Sequence, residues 1–254
     1  DVAQDHAWVA GSMGPLGIKI EPWGPTSEDE AKALFREQAE ALLEGGVDLF
    51  VLETFSDVNE IRQAIRAVRE LDAQVPMVAQ MTLGEDGNSL YGTAPEVFTA
   101  RLEQWGADVV GVNCSVGPAV MLDAVERMAR TTRRPLSVQP NAGLPRSVDG
   151  RNIYLASPEY MASYARRFLA AGARVVGGCC GTTPDHVRAI RQAVRTATPA
   201  PPAVRARPVV VAAEPAALPA AEPVPRERKS RLAASLHERS FPVVASFPPR
   251  RGLD

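Results

Sequence analysis

The chain has 254 residues, 45% of them hydrophobic, which is enough material for one large hydrophobic core. Its formal net charge of -2 gives no electrostatic attraction to nucleic acid or to a membrane surface, and no run of 18 apolar residues predicts a membrane span. The three cysteines form no disulfide framework, and this cysteine usage is typical of a reducing, cytoplasmic compartment.

Short apolar runs followed by helical patterns repeat along most of the chain. Each run is long enough for a buried strand and is bounded by glycine or polar residues. The predicted strands are Trp8–Ala10, Leu49–Leu52, Pro76–Met81, Val109–Asn113, Leu136–Gln139 and Arg174–Gly178.

The helical patterns carry boundary signals. Ser27 and Asp57 are each followed three positions later by a glutamate, as in a capping box. Ser157 and Thr183 each stand before a proline, which suits a capping hydroxyl followed by the first helical residue. Apolar residues three and four positions apart predict the buried faces. These faces contain Val58, Ile61, Ile65 and Val68; Met121, Ala124, Val125 and Met128; Met161, Tyr164, Ala165 and Phe168; and Val187, Ile190 and Val194.

Strands that alternate with helices predict a parallel sheet, either doubly wound or closed into a (β/α)8 barrel. Six βα units precede Thr198, whereas a closed barrel has eight. The unusual polar and glycine residues follow the C-terminal ends of these strands, where a parallel barrel builds its active site. We therefore predict an α/β fold of the (β/α)8 TIM type in residues 1–196, truncated at its N-terminus, with one shared site.

The composition changes after residue 196. Residues 197–227 are rich in alanine and proline, which predicts an extended, semi-rigid linker. A short helical pattern and the sequence FPVVASFPPRRGLD occupy residues 228–254 and look like the start of a second domain. We expect the chain to be an internal fragment of a larger two-domain protein.

The cysteines are the most informative residues. Cys114 follows a predicted strand in GVNCSVGP, and Cys179 and Cys180 follow another in VVGGCCGTTP. Neighbouring residues of a strand point to opposite faces, so the pair can serve one site only where the flanking glycines let the backbone bend. Three thiols at one end of a sheet favour zinc with one open position. Burial as small apolar side chains and a strained vicinal disulfide are the alternatives.

Several segments resemble the homocysteine S-methyltransferase family, which includes betaine–homocysteine methyltransferase and the homocysteine domain of cobalamin-dependent methionine synthase. The resemblance covers roughly residues 8–196 and rests on GSMGPLG, LET at 52–54, GVNCSVGP, QPNAGLP and GGCCGTTPDHVRAI. The family's glycine-rich first strand end and its second βα unit have no counterpart here. The tail LHERSFPVVASFPPRRGLD is similar to the opening of methylenetetrahydrofolate reductase, except that Ala245 stands where that family usually has a glutamate.

The resemblance implies a zinc centre that performs the chemistry. Cys114, Cys179 and Cys180 would be the zinc ligands, and the homocysteine thiol would take the fourth position and lose its proton there. The sulfur would then attack a methyl carbon held in line with it, which yields methionine.

Five further residues are candidates for the substrate side of the site. Glu53 is expected to bind the α-ammonium group of homocysteine, with a salt bridge to a neighbouring loop as the alternative. Asn141 is expected to be a displaceable fourth ligand or to serve a loop turn, and Asn113 to orient the zinc site or to be a structural amide. Ser12 and Gly14 are expected to lie in a loop that shapes the substrate side.

The first prediction for function is therefore a zinc-dependent transfer of a methyl group to homocysteine. The alternatives are a metal-independent (β/α)8 lyase or isomerase with Cys114 as its nucleophile, and an inactive truncated fragment. Methylfolate, methylcobalamin, S-methylmethionine, S-adenosylmethionine and betaine all remain open as methyl donors. A reductase domain fused in the parent protein would favour a folate-linked donor, and neither nucleic acid nor a membrane is expected as a partner.

Overall fold

A computed structural model describes residues 7–197 of the chain. The predicted linker beyond residue 197 and the predicted reductase-like segment 228–254 lie outside the described residues. None of the helices in residues 7–197 combines the length and the apolar character needed to cross a membrane.

Strands and helices alternate through the described part of the chain, as the sequence predicts. In chain order they are β1 (Ala10–Met13), α1 (Glu28–Glu44), β2 (Leu49–Phe55), α2 (Val58–Leu71), β3 (Met77–Met81), α3 (Pro95–Gln104), β4 (Val109–Asn113), α4 (Pro118–Ala129), β5 (Leu136–Gln139), β6 (Arg146–Val148), β7 (Arg151–Ile153), α5 (Pro158–Ala171), β8 (Ala173–Val176) and α6 (Pro184–Thr196).

Six of these strands form one parallel sheet in the order β1-β2-β3-β4-β5-β8. A doubly wound sheet reverses its strand order at a switch point, whereas here each strand is added beside the previous one. This order is that of a (β/α)8 barrel, so the α/β fold and its six parallel units are confirmed. All six carboxyl ends lie along the same edge of the sheet, which gathers the loops that follow them.

The helices begin where the capping side chains predict. Ser27 and Ser157 each accept a hydrogen bond from the backbone N–H three residues later. Asp57 caps α2 through the N–H of Asn59 at 2.8 Å. Glu60, however, does not close a capping box, because its carboxylate accepts the backbone N–H of Leu16 at 2.8 Å instead. It thereby ties the loop after β1 to the start of α2.

The core lies between the sheet and its helices. The predicted faces of α2 and α4 are buried throughout, and Phe168 of α5 joins the same core. Val187 of α6 is the exception, since it is exposed. Along β2, Phe50 and Leu52 belong to this core, while Val51 lines a cavity of about 620 Å³ on the opposite face of the sheet.

Several details of the predicted elements are wrong. Strand β2 continues to Phe55 instead of ending at Leu52, so Glu53 lies within the strand. Strand β1 covers residues 10–13 rather than 8–10, which places Ser12 within a strand and not in a loop. Strand β8 ends at Val176, so both following glycines belong to the loop. The antiparallel hairpin of β6 and β7 was not predicted, because its six strand residues are all exposed and carry no apolar pattern. Its turn residues Asp149 and Gly150 both have positive φ, the usual signal of a tight hairpin.

Polar side chains join the elements at the amino ends of the strands. Arg69 of α2 donates to the carbonyls of Gly106 at 2.8 Å and Val75 at 2.6 Å, and to the carboxylate of Asp108 at 2.7 Å. The same Asp108 oxygen accepts the N–H of Met77 at 2.9 Å. Asp108 therefore serves stability, as its position at a strand start predicts.

We expect Arg69→Met to lower the free energy of unfolding by about 2–3 kcal/mol, because two carbonyls and a carboxylate lose a charged donor. The matched control is Arg36→Met, which removes exposed ion pairs with Glu40 and Glu70 and should cost less than about 1 kcal/mol. Urea unfolding followed by circular dichroism measures both. Equal losses in the two variants would contradict this role of Arg69.

Candidate metal centre

The three cysteine thiols converge at the carboxyl edge of the sheet. Cys114 directly follows β4, and Cys179 and Cys180 lie in the loop after β8. Their sulfur atoms all lie within 4.8 Å of one another, and those of Cys114 and Cys180 are 3.6 Å apart. The convergence that the sequence predicts is therefore confirmed.

Bends in the backbone bring the thiols together. Cys114 and Ser115 have φ values of 59° and 62°, in the left-handed region that residues with a side chain seldom occupy. Gly181, directly after the cysteine pair, has a φ of 78°, which only glycine adopts without strain. These bends turn both loops back toward one point as they leave their strands.

The loop after β5 joins the two thiol-bearing loops, although it contributes no thiol. The carbonyl of Gln139 accepts the N–H of Cys114 at 3.0 Å, and the carbonyl of Pro140 accepts the N–H of Cys179 at 2.9 Å. The N–H of Ala142 donates to the carbonyl of Cys180, also at 2.9 Å. Three backbone hydrogen bonds thus hold the thiol positions relative to one another.

Asn141 lies buried at the centre of that loop. Its side-chain oxygen accepts the backbone N–H of Cys180 at 3.1 Å, and its side chain also interacts with the Cys114 sulfur. Both contacts position the thiols. Service as a displaceable fourth metal ligand stays a prediction for this residue.

The pKa values of Cys114 and Cys179 are shifted in opposite directions. The pKa of Cys114 is lowered to about 5, chiefly by a hydrogen bond from the Cys179 thiol, while burial acts in the opposite direction. The pKa of Cys179 is raised by that same hydrogen bond, by burial and by the neighbouring charge. The metal-free cluster consequently holds a thiolate at Cys114 stabilised by a neutral thiol at Cys179.

The arrangement fits a tetrahedral metal with three sulfur ligands. Zinc–sulfur bonds of about 2.3 Å place the sulfurs of a tetrahedral site about 3.8 Å apart, close to the 3.6 Å between Cys114 and Cys180. Three thiolates are soft ligands that suit zinc, and they leave one coordination position for a further ligand.

A second group of polar residues lies beside the thiols. Glu53, near the end of β2, accepts the Ser12 hydroxyl at 2.5 Å and the Asn113 amide at 3.3 Å. The same amide nitrogen lies 4.0 Å from the Cys179 sulfur. A β-carbon at Gly14 would come within 3.7 Å of the Glu53 carbonyl, so Gly14 also borders this group. The structure thus brings all the candidate site residues to one edge of the sheet.

Sequence reasoning assigned no role to two residues at this site. Thr54 has a φ of 66° and forms two hydrogen bonds with Asn113. Tyr154, just after β7, packs its ring against Gly181, and the Cys180 thiol beside it helps to raise its pKa, after the larger effect of burial. The only sequence signal for Tyr154 is the Asp149 turn of the hairpin that positions it.

His186 is a buried capping residue at the start of α6. Its Nδ1 accepts the N–H of Thr183 at 3.1 Å, and its Nε2 lies 2.9 Å from the carbonyl of Ala156. These bonds connect the start of α6 to the loop before α5. His186 therefore fixes the end of the loop that carries Cys179 and Cys180, but it is not part of the thiol cluster.

Comparison with known proteins agrees with this geometry. The family model described as homocysteine S-methyltransferase matches residues 1–194. The chain belongs to this family. The methionine synthase of Mycobacterium leprae (strain TN) is 36% identical to this chain over 196 residues. The matched region covers 75% of this chain and 16% of that protein.

Solved structures of the family are also similar. The apo form of the homocysteine methyltransferase MmuM from Escherichia coli matches with a TM-score of 0.60 and 28% identity, covering 73% of this chain and 63% of that one. Its metallated form matches with a TM-score of 0.60 and 27% identity, covering 73% and 60%. The chain thus spans less than two thirds of MmuM and a small part of the methionine synthase.

We expect Gly181→Ala to weaken zinc binding at least about tenfold, because ligand-orienting neighbours have effects of that size. The new methyl group would lie 2.3 Å from the Tyr154 ring, so the ring and the cysteine turn must separate. Competition with a chelating dye measures the affinity.

Gly87→Ala is the matched control, since Gly87 has a similar φ of 75° but its nearest atoms would be 4.0 Å away. Both variants should lose about 1–2 kcal/mol of stability from the left-handed backbone. Only Gly181→Ala should lose zinc affinity, and equal zinc affinity in both variants would refute the steric argument.

In the reduced, metal-free protein at pH 7, iodoacetamide should alkylate Cys114 faster than Cys179. The lowered pKa of Cys114 keeps it ionised until the pH falls to about 5, whereas the raised pKa of Cys179 keeps that thiol protonated. Peptide mapping by mass spectrometry measures both rates. In denaturant the two rates should become equal, and faster labelling of Cys179 in the folded protein would contradict the assignment.

Proposed function

We propose that this chain is the part of an enzyme that transfers a methyl group to the thiol of homocysteine, forming methionine, with zinc bound by Cys114, Cys179 and Cys180. The observation that carries the proposal is the cluster of three thiols within 4.8 Å at the carboxyl edge of the sheet. Membership of the homocysteine S-methyltransferase family supports it, as does the metallated form of MmuM.

The sulfur ligands explain why zinc suits this reaction. When bound, zinc would lower the pKa of the substrate thiol and keep its sulfur nucleophilic at neutral pH. Cys114 is already disposed to give up its proton, and its neighbours Asn141 and Ser115 help to hold that charge. The chain therefore supplies ligands without a large rearrangement of the loops.

The residues beside the thiols would bind the amino acid part of the substrate. The Glu53 carboxylate would pair with the α-ammonium group, and the Ser12 hydroxyl and Asn113 amide already hold that carboxylate in place. Holding the amine fixes the direction of the substrate thiol, so that it meets the methyl carbon in line. The sulfur forms a bond to that carbon, and the donor leaves with the electron pair of the bond that breaks.

The proposal extends to the methyl donor and to the fused domain. Methylfolate, methylcobalamin, S-methylmethionine, S-adenosylmethionine and betaine are the donors to be compared. A fused reductase of one-carbon metabolism, suggested by the tail of the sequence, favours a folate-linked donor in a cytoplasmic enzyme. Apart from homocysteine and this donor, the fused domain is the partner that we propose.

Elemental analysis tests the metal centre. We expect about one zinc per chain for the wild type and a loss of bound zinc in Cys179→Ser, because a site with two thiolates holds the metal far less tightly. Ser147→Ala, in the exposed hairpin, is the control and should keep its zinc.

A methyl-transfer assay with homocysteine, run on the protein at its natural length, then ranks the five donors. Zinc-free but folded and reduced wild-type protein would refute the proposal. That result would favour the metal-independent lyase or isomerase, with Cys114 as its nucleophile.

A further inference from the structure

A β-bulge interrupts strand β2 at the candidate site. Leu52 pairs with Ala79 of β3, but Phe55 pairs with Met81, so Glu53 and Thr54 together oppose one residue of the neighbouring strand. An extra residue in one strand leaves a backbone group without a ladder partner and redirects the side chains that follow. Bulges of this kind occur next to active sites, where they aim a side chain.

The bulge changes which side chains face the core. Phe55 is fully buried and packs its ring 5.8 Å from that of Phe35 in α1, on the helical side of the sheet with Leu52. In a regular strand, residues 52 and 55 would point to opposite faces. The extra residue allows both to enter the core, and it leaves Glu53 and Thr54 for the edge that carries the thiols.

One fully buried side chain, Asn113, satisfies the groups that the bulge exposes. Its Oδ1 accepts the backbone N–H of Thr54 at 2.7 Å, and its Nδ2 donates to the Thr54 hydroxyl at 2.8 Å. The same Nδ2 lies 3.3 Å from Glu53 Oε2. Thr54 is β-branched and has a φ of 66°, a conformation that persists only when its surroundings impose it.

We propose that the hydrogen-bonded pair of Thr54 and Asn113 is a positioning device, which holds the bulge so that the Glu53 carboxylate faces the amine of the substrate. Thr54 and Asn113 need not touch the substrate, because they act through Glu53. The inference rests on the proposed function, since it assigns the partner of Glu53 to the α-ammonium group of homocysteine.

Asn113 also connects Glu53 to the thiol cluster. Its Nδ2 lies 4.0 Å from the Cys179 sulfur, so one side chain contacts both the carboxylate and the thiol cluster. Ser12 holds the other carboxylate oxygen from β1. The distance between the amine-binding group and the sulfur-binding group is thereby fixed by side chains from three strands.

The test compares two thiols that differ only in the amine. Homocysteine and 4-mercaptobutanoate share a thiol, a carboxylate and the chain between them, and titration calorimetry on the zinc-loaded protein gives their dissociation constants. We expect the wild type to prefer homocysteine and Glu53→Gln to lose most of that preference. Thr54→Val keeps the branched shape and removes the hydroxyl, and it should reduce the preference about five- to tenfold, the effect of one lost hydrogen bond.

Additivity separates positioning from direct contact. If Thr54 acts through Glu53, the double variant Glu53→Gln/Thr54→Val should show no smaller preference than Glu53→Gln alone. Thr99→Val is the control, because it makes the same change at a buried threonine of α3 whose hydroxyl has no hydrogen-bond partner. It should leave the preference unchanged. Equal weakening of both thiols by Thr54→Val, or additive losses in the double variant, would overturn the proposal.

A measurement without substrate keeps the two proposals distinct. Crystal structures of the wild type and Thr54→Val should show the Glu53 carboxylate leaving Ser12 and Asn113 in the variant. An unmoved carboxylate would refute the positioning device even if zinc and homocysteine bind as proposed. Zinc-loaded wild type that binds neither thiol would refute the proposed function, whereas a displaced Glu53 in the variant would still support the device.

Discussion

The candidate site depends on a short stretch of backbone that carries no cysteine. Residues 139–142, which leave strand β5, hydrogen-bond through their backbone to Cys114 on one side and to Cys179 and Cys180 on the other. Parallel strands bring the cysteine loops to the same edge, but β5 lies between the two strands that these loops follow, and the strand order alone leaves the sulfurs free to point apart. The backbone bonds of residues 139–142, with the Asn141 side chain among them, define how far apart the sulfurs lie.

Polar side chains connect the thiol cluster to Glu53, with the buried Asn113 between them. Asn113 uses both ends of its amide, and Glu53 receives a donor on each of its oxygens. A buried network of this kind is stable only when its members are satisfied, and a missing partner leaves a costly unpaired group. Because each member fixes the next, a change at one residue affects both the thiols and the Glu53 carboxylate.

Sequence alone predicts the fold and the convergence of the three thiols, for physical reasons. Apolar periodicity, capping residues and glycines determine the alternating strands and helices, and cysteines placed after two strands of one parallel sheet must share an edge. The positive φ of Thr54 could not be predicted, because it arises from a tertiary hydrogen bond to a residue 59 positions away. Glu60 shows the same limit, since local spacing predicts a capping box and the tertiary partner Leu16 takes its carboxylate.

The two ends of the strands have separate tasks. Arg69 and Asp108 join elements at the amino ends, while the thiols, Glu53 and their supports lie at the carboxyl ends. Loops at the carboxyl ends can therefore accumulate substitutions around the candidate site without weakening the contacts that Arg69 makes. This division gives the scaffold evolvability: new specificities can be selected on one edge of the sheet while the other edge preserves the fold.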